Sequence, residues 1–468
     1  MSAPTIALVE VSSGATHVYS RTYLPRVGIP TLAAILKQQG YQCDLWFQSF
    51  PGFSRERLSQ YDIVGISSLT CTITEAYSLA DQLKRKGKVV VMGGPHATFM
   101  PEEALRHCDY VVMKEGELSF PALAAALAKG DQPDSVPGIA YLRASGEICF
   151  TQEAPAVDYP DLPSPDFSLS PQVKADSLPP IIVTSRGCPH NCIFCSVTAI
   201  FGRRYRFKSN EQVIAELRPV LDRSICFGDD NFCAHRARTK SLLKDMIAQK
   251  AVPLRWTGEM CVDDGSDEEL LDLMEATRCR IIFVGIESIN PETLKKFGKK
   301  HNVEAIERCV KNLHRHNIGI HGMFVVGPDD DPGSVREIAD YAIAADIDTI
   351  QIFALTPFPG TSVYQEMKGR MLHQDWRYFD GMHVVLEPSR CSAYDLQLAI
   401  SAAMEKFYSW RRVAKAYRKG RGWRVKYRAG AHYLVNKWIK ENREYLERLR
   451  TGSYRASSAA AASAAKAI

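Results

Sequence analysis

Residues 181–196 read IIVTSRGCPHNCIFCS, a short apolar strand followed at once by three closely spaced cysteines. Their spacing is CxxxCxxC, with Cys188, Cys192 and Cys195 as its members. Three thiolates at this spacing can hold three irons of a [4Fe–4S] cubane and leave the fourth iron without a protein ligand. Clusters that only transfer electrons usually have four cysteines, so the missing ligand predicts a cluster that binds a small molecule.

Other interpretations of the cysteines stay open. A structural zinc site needs a fourth Cys or His at finger-like spacing, and His190 inside the loop is a candidate. Chance grouping of buried cysteines is a second alternative. The ten cysteines outside the motif have no CxxC spacing and are expected in the core. Cys226, Cys233 and Cys261 fall near the ends of predicted strands, which leaves an auxiliary cluster or a radical-quenching thiol open.

Strands and helices alternate in two stretches of the chain, one that begins at this motif and one that precedes it. From residue 181 to about 358, six strand-and-helix units predict a partial (β/α)6 barrel with its chemistry at the C-terminal ends of the strands. The first 130 residues alternate in the same way, which predicts a doubly wound, Rossmann-like parallel sheet. Ligands of such a sheet bind beyond the carboxyl ends of its strands, here the loops around residues 12–14, 67–70, 93–96 and 115–117.

The fold class is therefore α/β, with a helical region at the C-terminal end. The Pro-rich stretch YPDLPSPDFSLSPQ indicates a linker, and the Ala/Ser-rich end indicates a disordered tail. The expected boundaries are residues 1–138 for the Rossmann-like domain, 139–178 for the linker, 179–365 for the barrel, 366–452 for the helical region and 453–468 for the tail.

Composition places the chain among soluble globular proteins, with 46% hydrophobic and 24% charged residues. The first residues lack the basic and apolar pattern of a signal peptide, and no apolar run approaches a membrane span. Thirteen cysteines scattered over such a chain fit a reducing compartment. We therefore expect a cytoplasmic protein.

Seven further motifs, taken in order along the chain, make it resemble the radical S-adenosylmethionine superfamily. Phe194 precedes the last cysteine of the motif, as it does in that family. The barrel region then carries FGDDNF at 227–232, RWTGEM at 255–260, VGIESIN at 284–290, GMFVVGPDD at 322–330 and TPFPGT at 356–361. In the first domain, GGPHAT at 93–98 and KEGE at 114–117 look like the cobalamin-binding domain of the cobalamin-dependent subclass.

The resemblance implies how the cofactors are used. The open iron would bind the amino and carboxylate groups of S-adenosylmethionine, and reductive cleavage would release a 5′-deoxyadenosyl radical that abstracts hydrogen from an unactivated carbon. Phe194 would contribute to this cofactor site, Glu287 would hold the ribose or the amino group, and Gly228, Asp229 and Asp230 would line the amino-acid end. Reduction would need an electron donor such as flavodoxin or ferredoxin.

Small-residue loops of the first domain match those that let cobalamin lie close to the backbone in the family. The matching residues are Ser67, Ser68, Leu69, Gly93 and Gly94. The DxHxxG motif that supplies a histidine to cobalt in other cobalamin proteins is absent, as is usual in this subclass, although its absence also fits a domain that has lost cobalamin. His17 and His96 are candidates for contacts on the cobalt side, and each is equally explained as a loop histidine.

Cobalamin beside a 5′-deoxyadenosyl radical predicts a C-methyltransferase that takes its methyl group from methylcobalamin. The expected substrate is bulky and partly apolar, such as a lipid, a tetrapyrrole or a natural-product intermediate. A radical oxidative cyclase, or another enzyme that forms or rearranges carbon–carbon bonds, is the alternative. A transfer-RNA methylthiotransferase and a non-catalytic cobalamin or redox sensor are disfavoured. The sequence leaves the substrate and the oligomeric state open.

Residues 411–450 are strongly basic, with fourteen Lys or Arg against three Glu, and aromatic residues are interleaved with these charges, among them Tyr417, Trp423, Tyr427, Tyr433 and Trp438. We expect this region to cover the barrel mouth and to contact an anionic membrane surface. A solvated helical face would explain the same composition. Nucleic-acid binding is disfavoured because base stacking needs aromatics arrayed along one groove.

Replacing Cys192 with Ala tests the cluster assignment. We expect the wild-type protein, purified without oxygen, to bind about four irons per chain, and the variant to lose both the iron and the cleavage of S-adenosylmethionine. Iron analysis and chromatography of 5′-deoxyadenosine measure the two properties. Full iron content and cleavage in the variant would contradict the assignment.

Overall fold

A computed structural model describes residues 3–12, 25–418 and 422–454. These residues group into two compact units. The first contains residues 3–12, 25–189 and 196–212, and the second contains residues 190–195 and the described residues from 213 onward. His17 and the predicted disordered tail after residue 454 lie outside the described residues.

The first unit is an α/β layer structure in which buried strands alternate with amphipathic helices. Its elements are β1 (Ile6–Glu10), α1 (Gly28–Gln38), β2 (Cys43–Phe47), α2 (Arg55–Leu58), β3 (Ile63–Ser67), α3 (Ile73–Arg85), β4 (Val89–Gly93), α4 (Pro95–Phe99), α5 (Pro101–Ala104), β5 (Tyr110–Val112), α6 (Gly116–Lys129), β6 (Ile139–Leu142), β7 (Ile148–Phe150), β8 (Ile181–Ile182), β9 (Ser185–Arg186), α7 (Val197–Phe201) and β10 (Arg206–Phe207).

Within the described residues, the strands of the first sheet follow the order β2-β1-β3-β4-β5-β6-β7. The strands from β1 to β5 pair in parallel, as the alternation of strands and helices predicts. β6 and β7 add antiparallel pairs at one edge, so these residues of the predicted linker belong to the sheet. A close approach of α6 to β3 needs a glycine, because a Cβ on Gly65 would lie 2.8 Å from the ring of Phe120.

The second unit repeats the strand-and-helix pattern and ends in helices. After α8 (Asn210–Leu217), the elements are β11 (Ser224–Phe227), α9 (Arg236–Ala248), β12 (Arg255–Cys261), α10 (Glu268–Ala276), β13 (Cys279–Glu287), α11 (Pro291–Lys296), α12 (Val303–Arg315), β14 (Gly319–Val326), α13 (Pro332–Ala344), β15 (Thr349–Ala354), α14 (Ser362–Met367), α15 (Ala393–Phe407), α16 (Trp410–Arg418), α17 (Gly422–Glu441) and α18 (Arg443–Thr451).

Strands β11 to β15 of the second unit form consecutive parallel pairs. Their register sets Glu259 opposite Phe283, Phe283 opposite His321, and His321 opposite Thr349. Opposed residues of parallel strands share a face, so this row marks one face of the second sheet. The alternate residues, such as Ile282, are fully buried beneath the helices. The predicted α/β class is confirmed.

The start of α17 packs at the N-terminal ends of the strands of the second sheet. A Cβ on Gly319, the first residue of β14, would lie 2.7 Å from the indole of Trp423. Arg424 pairs with the fully buried Asp348, which immediately precedes β15. Chemistry in such folds gathers at the opposite ends of the strands. The structure therefore corrects the expectation that these residues cover the barrel mouth, because the buried carboxylate of Asp348 draws the basic helix to the other end.

No helix in the described part of the chain combines the length and the apolar character needed to cross a membrane.

Candidate active site

The loop of residues 187–196, between β9 and α7, carries the three cysteines of the motif. Gly187 begins it with φ +86°, and a Cβ at this position would lie 2.4 Å from the carbonyl oxygen of Arg204. Only glycine fits there. The side chains of Cys188, Cys192 and Cys195 are partly exposed.

A buried ion network holds the strand that leads into this loop. Arg186, two residues before Cys188, places Nη1 2.9 Å from Glu115 Oε1 and Nη2 2.5 Å from Glu117 Oε1. Arg206 Nη1 lies 2.8 Å from the second oxygen of Glu115. All four charged side chains are at most 8% exposed. The network therefore ties the KEGE motif of the first unit to the start of the cysteine loop.

The cysteine sulfurs are not arranged as a single-ion site. Among the described residues, no three His, Cys, Asp or Glu side chains gather at a point where one metal ion could bind. A zinc site would need Cys and His ligands around one ion. The ligands of a cubane bind three different irons and do not need such an arrangement.

The centre of the loop is anchored in the second unit by backbone and aromatic contacts. Ile193 accepts a hydrogen bond of 3.3 Å from the backbone N–H of Val363. The ring of Phe194 packs edge-on against Phe297 at 5.2 Å between centroids. Phe194, expected at the S-adenosylmethionine site, thus also fixes the loop on the core of the second unit.

Glu287 lies at the end of β13 in a conformation that few non-glycine residues adopt, with φ +63°. Its Oε1 lies 2.9 Å from Lys299 Nζ, and both side chains are largely buried. A Cβ on Gly285 would come within 2.7 Å of the same carboxylate oxygen. Backbone strain and a glycine together set the position of Glu287, which is typical of functional sites.

Lys299 connects Glu287 with the cysteine loop. Burial raises the pKa of the Cys192 thiol, and the ammonium group of Lys299 opposes that change through charge and a hydrogen bond. Burial also disfavours the charge of Lys299, yet the carboxylate of Glu287 keeps the pKa of the lysine above its usual value. The second unit therefore brings together a thiol, a carboxylate and a cation.

Neighbouring residues of the FGDDNF motif differ in their exposure to solvent. Gly228 and Asp230 are exposed, whereas Asp229 is only 2% exposed. An added ligand can reach Gly228 and Asp230 directly, but it cannot reach Asp229 without local movement.

Sequence reasoning missed Lys299 and Glu259. Lys299 sits in a lysine-rich stretch that is typical of solvated surface, so the sequence carried no signal for it. Glu259 did carry a signal, because it is a charged residue in the middle of a strand, and the residues before and after it are buried. Burial, followed by the charges of Asp230, Glu287 and Asp229, raises the pKa of Glu259 to about 8.

The loops expected to hold cobalamin lie at the carboxyl ends of β3 and β4. Ser68 donates its backbone N–H to Gly93 O at 3.2 Å, and a Cβ on Gly94 would lie 2.4 Å from Ser68 O. Ser67 is half-buried and Leu69 is 39% exposed, whereas Ser68 is fully buried. Ser67, Leu69 and the two glycines can therefore touch a ligand, and Ser68 acts through its backbone.

His96 is fully buried in α4, where its Nε2 lies 3.4 Å from Glu103 Oε1. A side chain packed in this way cannot reach a cobalt ion outside the unit, so the structure favours the alternative explanation of a structural histidine.

The thiol of Cys261 lies beside the cysteine loop, with its Sγ 3.5 Å from His190 Nε2 and 3.3 Å from Asn231 Nδ2. Cys226 is half-buried and Cys233 is fully buried. Within the part of the chain that the structure describes, these three thiols do not form a three-residue metal group with each other.

Two family models match the chain. The radical SAM superfamily model matches residues 182–342, and the B12 binding domain model matches residues 18–124. Bacteriochlorophyllide d C-12(1)-methyltransferase of Chlorobaculum tepidum is 33% identical over 344 residues, which cover 71% of each chain. This chain belongs to the radical SAM superfamily. The B12 match places it in the cobalamin-dependent branch, as the sequence motifs predicted.

Two further proteins are similar to this chain. An uncharacterized methyltransferase of Pyrococcus horikoshii is 31% identical over 408 residues, covering 82% of this chain and 88% of the relative. The solved structure of the cobalamin-dependent S-adenosylmethionine radical enzyme OxsB, with aqua-cobalamin and S-adenosylmethionine bound, shares the fold with a TM-score of 0.71. It is 17% identical, and the match covers 92% of this chain and 72% of OxsB.

This radical SAM protein is therefore an enzyme. Its cofactors are a [4Fe–4S] cluster, S-adenosylmethionine and cobalamin. It needs a reductant and a small-molecule substrate.

Gly187 and Gly202 offer a matched test of the cysteine loop. Both have positive φ, at +86° and +77°, but a Cβ on Gly202 meets nothing within 4 Å. We expect Gly187→Ala to lose most of its iron, because the added methyl group collides with the backbone at the start of the loop. Gly202→Ala should lose about 1–3 kcal/mol of stability through strain and keep its iron. Iron per chain after anaerobic reconstitution measures the difference, and equal iron content in the two variants would contradict the steric argument.

Proposed function

We propose that this enzyme transfers a methyl group to an unactivated carbon of a tetrapyrrole. The observation that carries the proposal is that matches for both S-adenosylmethionine chemistry and B12 binding occur in a chain 33% identical to a bacteriochlorophyllide methyltransferase. When bound, the cluster and S-adenosylmethionine supply the hydrogen-abstracting radical, and cobalamin supplies the methyl group.

We propose specific roles for the residues of the second unit and its loop. Cys188, Cys192 and Cys195 ligate the cluster, a role their partial exposure supports. Glu287, fixed by Gly285 and paired with Lys299, orients the ribose or the amino group of S-adenosylmethionine.

The ends of the other strands complete the proposed cofactor sites. The exposed Gly228 and Asp230 line the amino-acid end of S-adenosylmethionine, and Asp229 supports this loop from beneath. Phe194 holds the cysteine loop against the core and keeps water from its inner side. On the first unit, the residues that border cobalamin are Ser67, Ser68 through its backbone, Leu69, Gly93 and Gly94.

The predicted domain boundaries form part of this proposal. Residues 1–138 bind cobalamin and residues 179–365 perform the radical chemistry, and the two family matches fall inside these ranges. A flavodoxin or ferredoxin in the cytoplasm supplies the electron. Nucleic acid is not a partner in this scheme.

Methyl transfer is tested with bacteriochlorophyllide d, which the relative's name identifies. The reconstituted enzyme, with hydroxocobalamin, S-adenosylmethionine and a reductant, should form 5′-deoxyadenosine together with a product heavier by one CH2 group. Mass spectrometry of the product measures this. A product of unchanged carbon count would favour the cyclase alternative, and omission of cobalamin should stop methylation in the matched control.

We also propose contact between α16 and α17 and an anionic membrane surface. Trp410 is 61% exposed, Tyr417 75% and Tyr427 58%, on helices whose surface also carries Lys415 and Lys426. Interfacial binding uses this combination of aromatic rings and cations, and each cation near an anionic surface adds about 1 kcal/mol.

Co-sedimentation with vesicles tests the membrane contact. The protein should bind phosphatidylglycerol vesicles more strongly than phosphatidylcholine vesicles, and the triple substitution of Trp410, Tyr417 and Tyr427 by Ser should abolish most of the binding. Phe150→Ser, at a ring that is 51% exposed in the first unit, is the control and should bind as the wild type does. Equal binding to both vesicle types would contradict the proposal.

A further inference from the structure

A row of polar and aromatic side chains crosses one face of the second sheet. Glu259 on β12, Phe283 on β13, His321 on β14 and Thr349 on β15 lie opposite one another in register. Contacts confirm the shared face: the rings of Phe283 and His321 are 4.6 Å apart, and His321 Nδ1 lies 2.9 Å from Thr349 Oγ1. We call this face, from Glu259 to Thr349 together with Gln351, the inner row.

Gln351 shares this face, because it lies two residues beyond Thr349 on the same strand. Its side chain is 1% exposed, and among the described residues its Nε2 donates only to the thioether of Met382, at 3.1 Å. The oxygen Oε1 is buried and receives no hydrogen bond from any described residue. Thioether sulfur is a weak acceptor, and a buried amide oxygen without a donor is destabilising. This amide oxygen is therefore suited to accept a hydrogen bond from a ligand group, which reaches it only through local movement of the side chains that bury it.

The inner row is uncharged near neutral pH. Burial and the carboxylates of Asp230, Glu287 and Asp229 raise the pKa of Glu259 to about 8, so this side chain stays protonated and can donate a hydrogen bond. Burial lowers the pKa of His321 to about 4, so the imidazole is neutral.

The charges around Glu259 disfavour the binding of an anionic ligand. The ionisable groups that act on its carboxyl are Asp229 and Asp230 after β11 and Glu287 at the end of β13. On β11, Cys226 is a neutral thiol, since burial followed by the charges of Glu259 and Asp229 raises its pKa to about 12. The ammonium group of Lys299 is committed to Glu287.

The dimensions of the inner row suit a large substrate. Glu259 and Thr349 are separated by three inter-strand steps, about 14 Å on a flat sheet. The aromatic rings of Phe283 and His321 lie between the two polar ends. A small ligand cannot reach both ends, whereas a flat macrocycle can lie over the rings and extend to either side.

We propose that the inner row is a recognition site for two uncharged hydrogen-bonding groups, hydroxyl, carbonyl or amide, on opposite edges of the organic substrate. Glu259 donates to an acceptor at one edge, and Gln351 Oε1 accepts an N–H or O–H from the other. The inference rests on the proposed tetrapyrrole methylation and deepens it. It gives Glu259 and Gln351 binding roles that differ from those proposed for the S-adenosylmethionine residues at the strand ends.

The chain offers a matched control for Gln351. Gln397 is also 1% exposed, but both ends of its amide are satisfied, with Oε1 2.7 Å from the N–H of Val384 and Nε2 3.1 Å from the carbonyl of Met382. In the cluster- and cobalamin-loaded enzyme without organic substrate, Gln351→Leu should keep or raise Tm, whereas Gln397→Leu should lower it. A fall in Tm for Gln351→Leu as large as that for Gln397→Leu would show that the protein itself satisfies Gln351 and would overturn the proposal.

Kinetics with bacteriochlorophyllide d test the recognition directly. Gln351→Leu should raise the KM for this substrate at least about tenfold, more than it raises the KM for S-adenosylmethionine. In the wild type, the KM should rise about tenfold per pH unit above pH 8, because only the protonated Glu259 donates. Glu259→Gln, which stays neutral, should show a flat profile across the same range.

The possible outcomes separate this inference from the proposed function. A pH profile of KM in Glu259→Gln identical to that of the wild type, or a larger effect of either substitution on the KM for S-adenosylmethionine, overturns the inner row as a substrate site. If the wild type does not methylate bacteriochlorophyllide d at all, the proposed function fails. The comparison of Tm between Gln351→Leu and Gln397→Leu still decides the inference.

Discussion

The buried pairing of Glu115 with Arg186 and Arg206 is the constraint on which the cysteine loop depends. Both arginines reach the same carboxylate in a site from which water is excluded. Removing one member of such a network leaves a buried charge without a partner, at a cost of about 3–5 kcal/mol. Because Arg186 is separated from Cys188 only by Gly187, the network determines where the chain begins its turn towards the three cysteines.

Close packing at two glycines also fixes the cysteine loop and the end of β13. Gly187 lets the loop pass within van der Waals distance of the carbonyl of Arg204, and Gly285 leaves room for the carboxylate of Glu287. In both places the missing side chain of the glycine leaves the space that a neighbouring group occupies. The cysteine loop and the end of β13 are thus shaped by the absence of a side chain as well as by the functional groups they carry.

Electrostatics divide the second unit into two zones. At the ends of the strands, the pair formed by Lys299 and Glu287 creates a charged environment suited to a zwitterionic cofactor. Below it, on the inner row, burial holds Glu259 and His321 in their neutral forms. Charged and uncharged partners can therefore be recognised side by side in one sheet, since desolvation and neighbouring charges select the protonation state of each residue.

The sequence alone determined the local features of this protein. The spacing of Cys188, Cys192 and Cys195 lies within eight residues, and the periodicity of strands and helices repeats over short windows, so both are legible without a structure. Order along the chain also sufficed to place the FGDDNF and VGIESIN motifs at strand ends. The tertiary structure decided what depends on register between strands and on distant packing. It set Lys299 against Glu287, gave Gln351 a buried amide oxygen, and drew Arg424 of the basic segment to the buried Asp348. These contacts join residues far apart in the chain. They also bury polar side chains, which sequence patterns usually assign to the surface.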